Sequence, residues 1–145
     1  MNMSQPIETG DGFAFRRTAR RYFYAAAVYL SLGSVLGLLL VWSGNDNFKF
    51  THGHMMLVGV LLFAAYGAGN LWIAKQADSA PPPDSCASMA VAQFWLANIG
   101  LPGMLLGTVL PVGVGLDRVG FIFGLMEVAA AVLYGLMLRK ALKAM

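Results

Sequence analysis

Four long apolar stretches, separated by short polar ones, set the pattern of this chain. They run from Tyr22 to Trp42, Phe50 to Ala74, Ala87 to Leu110 and Val119 to Leu138. Each has about the 20 residues that a helix needs to cross a bilayer core. Backbone groups in lipid have no water to bond, so each stretch is predicted to be helical. The connections Ser43–Asn47, Gln76–Ser85 and Pro111–Arg118 are short, which makes neighbouring helices antiparallel. The pattern therefore predicts an all-α fold, a four-helix transmembrane bundle in one membrane domain, residues 1–145. The first fifteen residues are polar and are expected to be flexible. Pro81–Pro83 is a stiff spacer, and Asp84 or Ser85 is the expected N-cap of the third helix.

Composition agrees. Of 145 residues, 58% are hydrophobic and 12% charged, against about 25% charged in average soluble chains. That excludes a soluble globule and a disordered chain alike. A single cysteine excludes an internal disulfide framework. The first apolar run is too long for a signal-peptide core.

Charge placement gives orientation. Arg16, Arg17, Arg20, Arg21, Lys75, Arg139, Lys140 and Lys143 fall on one side of the bundle; only Lys49 and Arg118 fall on the other. The positive-inside rule then puts both termini in the cytoplasm. The arginines of segment 16–21 read as a lipid-headgroup anchor, and no nucleic-acid partner is expected. Tyr22, Phe23, Tyr24 and Trp42 read as an interfacial aromatic belt.

Candidate chemistry lies on the helix faces. His52 and His54 stand at the extracytoplasmic start of the second helix. Positions about seven apart share a face, so His52 is expected in line with Gly59, Phe63, Tyr66 and Asn70. A glycine two turns from a histidine leaves room for a planar macrocycle. His54 points about 200° away, towards Val58, Leu61 and Leu62, so both imidazoles grip one metal only if the helix start unwinds. Met55 and Met56 are soft enough for copper(I). Glu127 is a carboxyl in the middle of the fourth helix, where a charge is expensive. It is a proton carrier, a ligand, or a hydrogen-bond partner of Tyr66, Asn70, Gln93 or Asn98. Pro102 is expected to kink the third helix, with Asn98 satisfying a freed carbonyl. Gly33 and Gly37 form a small-residue seam that reads as helix packing.

The segment from Phe50 to Val60, with Thr51-His52-Gly53-His54, resembles the second transmembrane helix of subunit I in the haem–copper oxidase and nitric oxide reductase superfamily. The stretch Gln93-Phe94-Trp95-Leu96-Ala97-Asn98 is similar to that family's third helix. The resemblance implies that His52, not His54, is a low-spin haem b ligand. It implies haem propionates at the extracytoplasmic edge, near Arg118 and Lys49. Family members have about twelve helices, and their copper ligands and second haem ligands sit on later ones, so this chain is not an oxygen- or nitric-oxide-reducing subunit by itself. The other axial position is then open, filled by Met104 or Met126, or supplied by another protomer or partner subunit.

Three readings follow. The first is a b-type haem protein of a bacterial-type cytoplasmic (inner) membrane that transfers electrons or senses a gas. It would be a homo-oligomer or a subunit of a larger redox complex. The second is a copper-binding protein using His52, His54 and Met55 or Met56. The third is a cofactor-free accessory subunit of a respiratory complex. No nucleophile–base pair points to a catalytic activity of the chain alone.

Overall fold

The computed structural model describes residues 11–44, 47–77, 79, 81–109 and 116–144, and the regular elements among them are all helical. α1 spans Asp11–Ser43, α2 Asn47–His54, α3 Phe63–Gln76, α4 Asp84–Val109 and α5 Leu116–Ala144. A π-helical segment, Met55–Leu62, joins α2 to α3 and makes them one continuous second span. Among the described residues, 4 helices are long and apolar enough to cross a membrane, beginning at Gly12, Phe48, Asp84 and Arg118. The chain has the make-up of a multi-pass membrane protein.

The helices overrun the apolar stretches for a packing reason. α1 starts at Asp11 rather than near Tyr22, so residues 11–15 of the segment expected to be flexible belong to its first turns; residues 1–10 lie outside the described set. Phe15 is fully buried in a cluster with Ile73, Cys86, Met137 and Ala141. That cluster joins the start of α1 to the ends of α3 and α5 and the start of α4, and it gives the extra turns something to pack on. Gly44 stops α1. Its φ of 62° is open to glycine at no steric cost, and its N–H reaches the Leu40 carbonyl at 3.0 Å. Asp84 is itself helical rather than a cap. Its carboxylate lies in the first turn of α4, where the helix dipole favours an anion. Most of the expected 111–118 connection lies outside the described residues, and α5 already begins at Leu116.

α1 packs mainly on the second span, and α4 mainly on α5. Glycines set the second contact. A Cβ on Gly100 would lie 3.0 Å from the Phe123 carbonyl oxygen, and the Phe123 ring fills the place of a side chain at Gly103. Small residues let two helices approach closely in lipid, where packing rather than hydrophobic burial drives association. The central core holds Tyr22, Phe63, Tyr66, Phe94, Ala97 and Leu101. Tyr22 is therefore not part of an interfacial belt. It is fully buried, its ring meets Phe63 and Phe94 edge-on at 5.3 and 5.0 Å, and its hydroxyl donates to Gln93 Oε1. Tyr24 and Trp42, at 74% and 86% exposure, do face outward.

Candidate functional site

The π segment decides where each histidine goes. In it the N–H bonds five residues back, as Phe63 does to Val58, and the helix winds more loosely than an α-helix. The buried positions accordingly recur at every fourth residue: Thr51, Met55, Gly59 and Phe63. Beyond it the ordinary α period resumes with Tyr66, Gly67 and Asn70. The expected face is thus present from Gly59 onward, but Thr51 and not His52 continues it. A strict spacing of seven missed this because the helix is not uniformly wound.

His52 instead lies against α1. Its Nδ1 is 2.9 Å from the Gly33 carbonyl oxygen. A carbonyl only accepts, so Nδ1 carries a proton, and in the neutral ring the lone pair is on Nε2. The ring rests on Gly37, where a Cβ would lie 2.9 Å from the imidazole Cε1. One turn further on, Met56 uses the other glycine: a Cβ on Gly33 would lie 2.9 Å from its sulfur. The Gly33–Gly37 seam is helix packing, as expected, but what it admits is His52 and Met56. Both pairs are four residues apart, one turn on each helix.

His54 goes elsewhere. Its Nδ1 bonds the Phe50 carbonyl at 3.0 Å and its ring stacks on Phe50 at 3.8 Å. Met55 is buried in the central core. His52 and Met56 thus share the α1 seam, where Met55 touches Gly33 only through its Cβ, while His54 turns back on Phe50. Among the described residues, no three His, Cys, Asp or Glu side chains converge as a metal would require.

Gly59 admits a ring, but it is a ring of this chain. A Cβ there would lie 2.5 Å from Cγ of Tyr29, which packs across it. Tyr66 is buried beside Tyr134, ring centroids 4.5 Å apart. Met104 lines a cavity of about 500 Å³ between α4 and α5, with Phe50, Gly107, Gly120 and Gly124 around it. Met126 is half-buried on α5. Neither methionine lies on the α1 seam that receives His52. Arg118 is exposed one turn before Phe121, and Phe121 shares that cavity with Phe50, so Arg118 and Lys49 stand at one end of the bundle. A second cavity, of about 530 Å³, opens between α1, the second span and α4, lined by Tyr29, Thr51, Met55, Asn98 and Pro102 among others. Neither cavity is lined by His52 or His54.

The polar residues of the interior are not paired as the sequence suggests. Gln93 bonds Tyr22, and Asn70 turns back on the Tyr66 carbonyl at 2.8 Å. Asn98 bonds the Phe94 carbonyl at 2.8 Å, not its own carbonyl, which Pro102 deprives of an N–H partner. Glu127 lies beside Gly100, and its buried carboxyl oxygens have no side-chain partner, only the Leu101 backbone N–H nearby and without good hydrogen-bond geometry.

No family model matches the chain, and neither does any curated protein or solved structure.

Proposed function

We propose that this chain is a membrane b-type haem-binding protein with His52 as the iron ligand. The observation that carries the reading is the His52–Gly33 hydrogen bond. Metal-bound histidines characteristically donate their second ring N–H to a carbonyl or carboxylate, which fixes the tautomer and turns the other nitrogen to the metal. Gly37 makes room for the imidazole in that pose. The resemblance of the Phe50–Val60 segment to oxidase subunit I supports the same residue. A haem iron bound there would supply one-electron exchange or a site for a diatomic gas. The protein's own part is to hold Nε2 ready and to hold the ring against α1.

Where the iron took a second protein ligand, that ligand would come from outside the chain. Met104 and Met126 stand on α4 and α5, whereas His52 is on the α1 seam and borders neither described cavity. A second copy or a partner subunit of a larger redox complex would then complete the site. The bundle has antiparallel neighbours and both termini on the cytoplasmic side of a bacterial-type inner membrane. The skew of Lys and Arg supports that orientation, and the cluster joining the start of α1 to the end of α5 supports the antiparallel order.

Absorbance spectra of the detergent-purified protein, oxidised and then dithionite-reduced, test the reading. A Soret band lost in His52→Ala and kept in His54→Ala is the expected result. A colourless protein, expressed with haem available, overturns it.

Copper has one specific observation in its favour. His52 and Met56 pack one turn apart on the same Gly33–Gly37 seam of α1, an imidazole and a thioether, both ligand types that suit copper. Copper(I) binding by the colourless protein, lost in Met56→Leu but not in Met55→Leu, would distinguish that reading.

A further inference from the structure

Glu127 is the one acidic side chain inside an apolar run; the other acids of the chain flank the four stretches. Neither of its buried oxygens has a hydrogen bond of good geometry, the Leu101 backbone N–H being the donor beside them, and three more side-chain atoms of the interior are orphaned. These are Tyr66 Oη, Asn70 Oδ1 and Gln93 Nε2, on residues 3%, 0% and 0% exposed. Leaving such a group unsatisfied forfeits its hydration with nothing in return, so buried polar groups find a partner, in protein or in ordered water.

The groups form one assembly. Tyr22 donates to Gln93 and its ring lies 5.4 Å from that of Tyr66. Tyr66 lies 4.5 Å from Tyr134, and Asn70 bonds the Tyr66 backbone. Tyr134 stands two turns from Glu127 on the same face of α5, which sets the carboxyl on the side of that helix that meets the core tyrosines, Tyr22 and Tyr29 of α1 and Tyr66 of α3. The titratable groups facing the carboxyl are thus tyrosines from α1 and α3, with Tyr134 on its own helix. α4 adds the backbone of Gly100 and Leu101 beside the carboxyl, and the Gln93 amide. Water needs two to four polar partners, and hydroxyl, amide and carboxyl atoms orphaned in one interior supply them.

We propose that Glu127 is a proton-exchange site inside the membrane, served by water held among Tyr66, Asn70 and Gln93. In the exchange the carboxyl O–H bond breaks as a neighbouring water takes the proton. That water releases one of its own to the next water or tyrosine hydroxyl, which releases its own in turn, while the Asn70 and Gln93 amides only hold the water by hydrogen bonds. Reprotonation reverses the step, and no oxidant or reductant takes part. Such a group takes up or releases one positive charge within the low-dielectric interior. The proposal is independent of the haem reading and stands whether or not His52 binds iron.

Infrared spectroscopy of the full chain in lipid tests it. The expected result is a carbonyl band of a protonated carboxylic acid at neutral pH, lost in Glu127→Gln and displaced in Glu127→Asp. The aspartate variant reports the assignment even if the glutamine variant fails to fold. Transfer to D2O shifts the band, and Asn70→Leu slows that shift while helix content is kept. Absence of a Glu127-dependent band overturns the proposal. So does a band that stays unshifted in D2O, which makes the carboxyl a sealed structural tie, or one whose exchange is indifferent to Asn70→Leu.

Discussion

Gly37 and Gly53 differ in what a methyl group would meet. At Gly37 a Cβ falls 2.9 Å from the His52 ring; at Gly53 nothing lies within 4 Å. Glycine within a helix is less stable than alanine by about 0.5–1 kcal/mol. Gly53→Ala should therefore raise the thermal midpoint in detergent and leave any haem spectrum unchanged. Gly37→Ala should displace the imidazole and weaken the Soret band while circular dichroism stays helical. An unaffected spectrum would mean that the seam does not position the ligand. The presence of His52 and Gly37 was plain in the sequence, but their contact was not. It depends on how α1 and the second span rotate against each other, and hydropathy carries little information about that rotation when most faces of a span are apolar.

At the scale of elements, the α4–α5 pair and the π segment behave differently. α4 approaches α5 through Gly100 and Gly103, where a side chain would strike the backbone or ring of Phe123. Gly103→Val should force the two helices apart and lower the yield of monodisperse protein on gel filtration. Gly135→Val, at a position with nothing within 4 Å, should leave that yield unaltered, and equal losses for both would contradict the close approach. The small residues that allow this packing were visible as sequence. The π segment was not, because Met55–Leu62 is an uninterrupted apolar run whose composition suits any helix in lipid. Its loose winding turned Thr51 inward and left His52 on α1, and the spacing rule assumes an evenly wound helix.

For the whole molecule, the order of the spans makes a statement about sides. Ser43 and Ser79 are exposed and lie at opposite ends of the second span. With Cys86 replaced by alanine, Ser43→Cys should react with an impermeant maleimide from outside the cell and Ser79→Cys only from the cytoplasmic side. The same side for both would overturn the proposed topology. The sequence by itself determined that there are four spans and roughly where they begin and end, because lipid imposes a length and a helical backbone on any apolar stretch. It also determined which residues are chemically unusual: two histidines at one helix start and one carboxyl in mid-helix. Only the tertiary structure decided their company. It set His52 on Gly33 and Gly37, filled the recess at Gly59 with Tyr29, paired Tyr22 with Gln93, and left Glu127 against Gly100 without a side-chain partner. Those outcomes follow from helix rotation and from close packing at glycines. Both are properties of pairs of helices and are not written in the hydropathy of any one of them.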